Sequence, residues 1–445
     1  MKKLENELRG TLLLPGDEGY NGARSIWNGK IDRKPSAIVR CRGAADVIAS
    51  VKFARKQNML LSVKGGGHHV SGHAVCEDGL MIDLSLMNGI RIDPEAKTAW
   101  VGPGARVRDL DHEAQAFGLM TTGAPVSTVG ISGYTLGGGL GWTSRLHGLA
   151  CDNLLSADIV TARGELVHAS EEQNADLFWG IRGGGGNFGI VTSFEFRLHK
   201  LGPEVLAGPI VHSMDDAPDL LRFWRDYMAE APDELQCMPV IFQAPGGETV
   251  FCLYPLYAGE PSDGEPVIEP LRKAGNSLSD EVEVTRYAGL LSDLDEMYRA
   301  GDRNNYRSAF FDSLPDEAID AFVEKAAPVP TPYSSIFLEP MGGAIGRKSL
   351  EATAFPHRER RFCITAVPKW EKEERDAEME AWADDLFNDL EPYAAEGVYV
   401  NYLADEGKEK AESAYGRHWE KLQSLKEKWD PENLFRMNHN IPPKA

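Results

Sequence analysis

Ser62-Val63-Lys64-Gly65-Gly66-Gly67-His68-His69-Val70-Ser71-Gly72-His73 is the stretch on which the reading of the whole chain turns. An apolar run, Met59-Leu60-Leu61, leads into three consecutive glycines and then three histidines within six positions. Glycines in series admit backbone conformations closed to other residues and bring amide N–H groups close to a ligand, often an anion. A histidine fixed at the rim of such a loop can serve as nucleophile, base or metal ligand. Taken alone, the segment reads equally well as a tight turn carrying solvated histidines. Its neighbours shift that balance.

Two more glycine-rich stretches follow. Thr121 to Trp142 contains Gly123, Gly130, Gly133, Gly137, Gly138, Gly139 and Gly141. So many glycines predict ordered loop and short turns rather than helix or strand interior. Val126, Val129, Ile131, Leu136, Leu140 and Trp142 are too bulky and apolar for a flexible linker. The third run, Arg182-Gly183-Gly184-Gly185-Gly186-Asn187-Phe188-Gly189, precedes Ile190 to Leu198, whose alternation predicts a half-buried strand. Three such loops beside strands imply one large, phosphate-bearing ligand held mainly by backbone amides. There is no G-x-x-x-x-G-K-[ST] and no clean G-x-G-x-x-G between a first strand and helix, so P-loop and Rossmann readings are weak. A metal site on His68, His69 and His73 ranks below a flavin site, because adjacent side chains point apart in an extended chain.

Composition narrows the class. The 445 residues suffice for two domains, and 42% hydrophobic with 26% charged residues is ordinary for a globular enzyme. A net charge of −21 opposes nucleic-acid binding and suits solubility or a saline or warm habitat. The N-terminus lacks the apolar core of a secretory signal, and no apolar run approaches membrane-spanning length. Cys41, Cys76, Cys151, Cys237, Cys252 and Cys363 are scattered and never form a CxxC pair. That pattern predicts no zinc site or disulfide framework and a reducing cytoplasm.

Coarse patterning predicts strands at Ser36–Arg40 and Gly79–Leu84, a helix over Ala44–Asn58, and hairpins around Pro94 and at Arg163-Gly164. Beyond Leu201-Gly202-Pro203 glycine clusters thin out and amphipathic helices alternate with strands, including Thr249–Tyr254 and an acidic helix over Glu371–Asn388. From Gly397 a strand, Val398-Tyr399-Val400-Asn401-Tyr402, leads to a helix carrying Ala411, Tyr415, Trp419, Leu422 and Trp429. The expected domains are 1–202, 203–395 and a returning segment, 396–445.

Val63-Lys64-Gly65-Gly66-Gly67-His68, Gly137-Gly138-Gly139-Leu140-Gly141, Asp176-Leu177-Phe178-Trp179 and Gly189-Ile190-Val191-Thr192 resemble the FAD-binding domain of the vanillyl-alcohol-oxidase superfamily. The tail, from Tyr399-Val400-Asn401-Tyr402 through Asp430-Pro431 to Ile441-Pro442-Pro443, resembles the berberine-bridge-enzyme segment. The resemblance implies an α+β fold: a two-part FAD-binding domain with an α+β substrate domain, its antiparallel sheet covered by helices. It implies FAD bound covalently through His68. The family's second, cysteinyl bond falls at Val126, which predicts a single link. Val129 matches the position where a small residue admits oxygen to the flavin, and Tyr402 the family's tyrosine base. Tyr134 stands where many relatives have histidine, and His439 where the tail usually has glutamine.

The cofactor-binding set expected on this basis is Lys64, Gly65, Gly66, Gly67, His68, His69 and Gly72, then Val126, Ser127, Thr128, Val129, Gly130, Gly133 and Tyr134. Gly137, Gly138, Gly139, Gly141, Trp142, Gly189, Ile190, Val191, Asn438 and Asn440 complete it. The expected activity is oxidation of a CH–OH or CH–N group of a small molecule, with reoxidation by O2 giving hydrogen peroxide. No metal, nucleic acid or membrane takes part, and the protein is a monomer or small homo-oligomer. Tyr402 is the expected base, with Glu339 and His357 behind it. The same scaffold acting as a dehydrogenase is the nearest alternative. A flavin-binding module without turnover and a metal-dependent hydrolase lie further off.

Overall fold

The computed structural model describes residues 1–444. Strands β1 (Thr11–Leu13), β2 (Ala37–Arg40), β3 (Leu61–Lys64) and β4 (Leu80–Asp83) form a sheet in the order β1-β2-β4-β3. β2 and β3 both run parallel to β4. Helix α1 (Ala44–Lys56) joins β2 to β3 and buries Val47, Val51 and Ala54, the helical spacing read from sequence. β3 ends at Lys64, so the glycine–histidine loop leaves directly from the end of a parallel strand.

The second sheet is antiparallel. β5 (Ile90–Asp93), β6 (Thr98–Val101), β7 (Leu154–Val160), β8 (Leu166–Ser170) and β9 (Ile190–Arg197) lie in the order β5-β6-β9-β7-β8. Phe194 and Phe196 are buried while Arg197 is exposed, the half-buried alternation expected of β9.

A nine-stranded antiparallel sheet follows, made of β10 (Glu204–Ala207), β11 (Ile210–Ser213), β12 (Leu235–Gln243), β13 (Thr249–Tyr257), β14 (Ser277–Asp280), β15 (Glu283–Arg286), β16 (Arg307–Phe311), β17 (Ser335–Pro340) and β18 (Phe362–Val367). Its main order is β14-β11-β13-β12-β17-β18-β16, with β10 joining β13 to β15. On one face Cys237, Ile241, Phe251, Leu253, Ile336 and Leu338 share a core with Trp224, Phe322 and Leu386 from three covering helices. These helices are α3 (Ala217–Glu230), α4 (Asp316–Ala326) and α5 (Asp376–Leu390). Strand alternation turns Met238, Val240 and Phe242 to the other face, where the cavity lies. The fold is α+β.

Three local expectations need correction. The second glycine region is not all loop: Ile131–Leu136 forms a short helix, α2, with Ile131, Tyr134 and Leu136 buried. Gly133 costs that helix ~1 kcal/mol of propensity, which burial of its large neighbours offsets. Val398–Tyr402 is not a strand. Val400–Tyr402 is a single 3₁₀ turn, because Tyr402 N–H donates to Tyr399 O at 2.9 Å and Tyr399 is anchored elsewhere. The tail helix is interrupted at Gly416–His418 before resuming as α6 (Trp419–Trp429). There Lys426 is fully buried against Asp430, 2.7 Å away, and Asp430 accepts the amides of Leu434 and Phe435.

The first two glycine loops meet backbone to backbone. A Cβ on Gly66 would lie 2.5 Å from Gly130 Cα, and one on Gly130 would lie 2.5 Å from Gly66 Cα. Gly130 is held in place by a bridge to Arg106 and by Ile131 N–H donating to Ala105 O at 3.0 Å. Neither backbone can retreat cheaply. Gly66→Ala and Gly130→Ala should each destabilise the protein by about 1–3 kcal/mol through overpacking, read as a lower midpoint in thermal or urea unfolding. Gly22→Ala, where a Cβ meets nothing within 4 Å, serves as control.

Candidate active site

A cavity of about 670 Å³ runs between the glycine loops, the open face of the nine-stranded sheet and the C-terminal tail. Its walls include Gly65, Gly66, Gly67, His68 and His69 from the first loop. Val126, Val129, Gly130, Gly133, Tyr134, Gly137 and Trp142 come from the second, and Gly189, Ile190 and Val191 from the start of β9. Tyr402, Asn438 and His439 are brought in by the tail.

His68 borders this cavity with its ring stacked on Trp27, centroids 4.4 Å apart and planes 16° from parallel. The Thr128 hydroxyl lies 3.3 Å from His68 Nε2. Enclosure in protein pushes the His68 pKa down to about 3, so the ring is neutral. His69 is similarly lowered, to about 4, and its Nε2 bonds Val400 O at 2.9 Å. Ser71 Oγ bridges His69 Nδ1 at 2.8 Å and His73 Nδ1 at 3.0 Å, while His439 Nε2 meets Leu403 O at 3.0 Å. These histidines are committed to hydrogen bonds. Among the described residues no three His, Cys, Asp or Glu side chains are grouped to hold a metal ion.

The tail is stapled to the second glycine loop. The Tyr399 hydroxyl accepts the amides of Gly139 at 2.8 Å and Leu140 at 3.0 Å, and the Asn401 amide donates to Tyr134 O at 3.0 Å. A Cβ on Gly137 would stand 2.0 Å from Asn401 Oδ1, which explains that glycine. Tyr134 uses its hydroxyl to close the same loop, donating to Leu140 O at 2.8 Å. So anchored, the turn presents Tyr402 to the cavity, and the Tyr402 hydroxyl donates to Glu339 Oε1 at 3.2 Å. Glu339 follows Phe337 by two positions on β17, so both share the face towards the cavity. It is only 1% exposed, and its Oε2 has no partner. Desolvation pushes the Glu339 carboxyl up to about 8, moderated by the Tyr402 hydrogen bond. Burial first, then the Glu339 charge, raises Tyr402 well above the ordinary tyrosine range.

The profile of the FAD binding domain matches residues 35–170, and that of berberine and berberine-like proteins matches 398–442. (R)-6-hydroxynicotine oxidase of Paenarthrobacter nicotinovorans is 31% identical over 469 residues, spanning 98% of each chain. The chain belongs to the berberine-bridge-enzyme-like family of FAD-linked oxidoreductases. An FAD-linked oxidoreductase of Dictyostelium discoideum is 30% identical over 442 residues, covering 98% of this chain and 95% of the relative. The crystal structure of 6-hydroxy-D-nicotine oxidase from Arthrobacter nicotinovorans matches with a TM-score of 0.90 and 28% identity, over 98% of each chain. The fold is that of the vanillyl-alcohol-oxidase superfamily. No helix among the described residues is long and apolar enough to cross a membrane.

The cavity fits the FAD this family uses. None of the amides from Gly65 to His69 donates to another backbone carbonyl among the described residues, which leaves a row of donors for a diphosphate. Asn438 borders the cavity with a buried Oδ1 that has no partner. Gly185 and Gly186, from the third glycine run, also line it.

Other expected residues lie behind the wall. Lys64 donates to Ala23 O, and Gly72 (φ +70°) packs on Ile31. Ser127 Oγ bonds Asp295 at 2.6 Å, and Thr128 acts on His68. Gly138, Gly139 and Gly141 face Phe355, Ala150 and the Gly123 carbonyl, and half-buried Asn440 does not border the cavity, though its Oδ1 is buried without a partner. Trp27 is a residue that sequence patterning missed, since a lone tryptophan in a turn-rich leader gives no signal. His357 is the clearest correction among the base candidates. Its ring is buried between Phe310 and Phe355, outside the cavity, and its Nε2 bonds Ala414 O at 2.9 Å. Burial holds its pKa down at about 4. His357→Ala should lower stability by about 2–4 kcal/mol through lost packing and a lost buried hydrogen bond, while anaerobic flavin reduction by substrate stays within a few-fold of wild type. A hundredfold loss of that rate without unfolding would return His357 to the chemistry.

Proposed function

We propose that this FAD-linked oxidoreductase oxidises a CH–OH or CH–N group of a small molecule, with O2 as the final acceptor. In this reading residues 1–202 and 396–445 hold FAD, and 203–395 cover its reacting end. The glycine-loop amides hold the diphosphate, His68 carries the single covalent link, and Val126 leaves no thiol for a second. When bound, FAD supplies the hydride acceptor and passes the electrons to oxygen.

The observation that carries the proposal is the hydrogen bond from Tyr402, at the cavity wall, to the Glu339 carboxyl buried behind it. A tyrosine with a raised pKa is a poor base alone, but its hydroxyl already points a proton at a carboxylate. Tyr402 takes the substrate hydroxyl or amine proton while its own proton passes to Glu339 Oε1. Glu339, with a pKa near 8, is close to the best match for a base working near neutral pH. The turn anchored by Tyr399 and Asn401 orients the ring, and the apolar wall excludes competing water. Trp27 and Thr128 fix the His68 ring, and burial keeps it neutral, as a nucleophile requires. Val129, half-buried at the cavity wall, is small enough to leave room for oxygen, and the oxidase name of the nicotinovorans relative supports O2 as acceptor.

Tyr402→Phe and Glu339→Gln should each slow anaerobic flavin reduction by ~10²–10⁴-fold without lowering thermal stability. The base must be ionised to accept, so the wild-type rate should rise with pH through about 8 and then level off. A flat profile from pH 6 to 9 would remove Glu339 from the relay. Val129→Leu should slow the return of the oxidised spectrum in air and leave anaerobic reduction nearly intact. Slow wild-type recovery in air, restored only by quinones or dyes, would make the enzyme a dehydrogenase instead.

A further inference from the structure

Trp27, which stacks on His68, is itself held from two sides. Its backbone N–H donates to Gly67 O at 2.9 Å, next to His68, and its indole Nε1 donates to Tyr298 O at 2.7 Å. Gly301 N–H donates to Trp27 O at 3.0 Å, and Gly29 N–H donates to Asp302 O at 2.8 Å. A Cβ on Gly29 would stand 2.0 Å from Gly301 O, so the leader and the 298–302 segment touch through bare backbone. Asn28 makes a second bridge, its side-chain amide donating to Val70 O at 2.7 Å and to Asn304 O at 3.0 Å. The leader is a strap between the first glycine loop and a segment of the region 203–395.

Lys369 stands behind that segment, fully buried and outside the cavity lining. Its Nζ donates to Met297 O at 2.8 Å and to Arg299 O at 3.0 Å, the carbonyls on either side of Tyr298. Asp302 Oδ2 lies 3.3 Å from the same nitrogen. Three acceptors match the three N–H groups of an ammonium, so the side chain is held in its charged form. Burial lowers its pKa to about 8, against the pull of Asp302. Nζ is also 5.7 Å from the centroid of the Trp27 ring, within cation–π range. The Lys369 backbone is pinned in turn. It pairs with Asn304, its N–H donates to Ser334 Oγ at 2.9 Å, and its carbonyl accepts Thr331 Oγ1 at 2.7 Å.

We propose that Lys369 is a positioning residue for covalent attachment of the flavin: through the Met297–Arg299 backbone and Trp27 it holds the His68 ring in the orientation that bonds the cofactor. This rests on the His68 link proposed above and deepens it by naming what sets the ring. Attachment joins a His68 ring nitrogen to the flavin 8α-carbon, and one C–H bond and the imidazole N–H bond break. The two electrons pass into the flavin and then, with the two protons, to O2 as hydrogen peroxide. A ring that must reach one carbon atom is sensitive to a displacement of about 1 Å, which can cost ~10²-fold in rate. Lys369 and Tyr298 both belong to 203–395, so the attachment site is complete only when that region is docked on the FAD-binding part.

The test uses the full chain as purified and reads two quantities, total bound flavin from absorbance and the covalent share from intact mass after denaturation. Lys369→Met removes the ammonium at similar length. Trp27→Phe keeps a ring but loses the N–H that Tyr298 O accepts, and it decides the matter if Lys369→Met does not fold. Each variant should still bind close to one FAD per chain and melt near the wild-type temperature. Its covalent share should fall from near complete to under about a tenth, as an attachment step slowed ~10²-fold leaves most flavin free to dissociate in acid. A merely structural role would lower both quantities together. A folded variant that stays mostly covalent, a parallel loss of total flavin and melting temperature, or failure of both variants to fold overturns the proposal. Wild-type protein that binds FAD yet never gains its mass would instead sink the His68 link on which the role rests.

Discussion

The contact between Gly66 and Gly130 sets the geometry on which the rest of the site depends. Two loops, one leaving a parallel strand and the other entering a short helix, touch through bare backbone at a distance no side chain tolerates. That approach aligns the free amides of the first loop with the wall made by the second. It also brings Thr128 within reach of His68. Glycine at both positions is therefore a requirement of this close approach.

The second constraint is the return of the chain. Lys426 and Asp430 pair with no exposure to solvent and fix the tail, while Tyr399 and Asn401 close the preceding turn onto the Gly137–Leu140 loop. This clamp carries Tyr402 to β17, where the buried Glu339 carboxyl waits. The arrangement has a stability cost with a definite sign. An unfolded Glu339 loses its proton near pH ~4.3, whereas the folded one keeps it to about 8. Between those values the native state binds more protons than the unfolded chain, so stability falls as pH rises across the window. A leucine at this position would carry no such cost. Retaining a carboxyl there is consistent with its use as proton acceptor.

Much of this was legible in sequence. Alternation in Ile190–Leu198 and helical spacing in Ala44–Asn58 report burial directly, and both elements form where expected. The glycine loops were readable because residues such as Val126 and Trp142 are incompatible with a linker. The Val398–Tyr402 turn was misread because its alternating pattern also suits a strand, and only tertiary bonds to Tyr399 reveal the turn. The same limit hid Trp27, whose partner His68 lies 41 positions along the chain. His357 looked like a base by residue type alone. Its seclusion behind Phe310 and Phe355 is a property of packing between distant segments, which no local pattern encodes.

The account's central claim is that the cavity holds FAD with His68 as its single covalent anchor. The most direct measurement is intact mass spectrometry of the denatured protein, followed by a tryptic map. The account predicts a mass greater than the bare chain by one FAD less two hydrogens, with the addition on His68. The mass of the bare chain, two attachment sites, or an addition on His69 would contradict it.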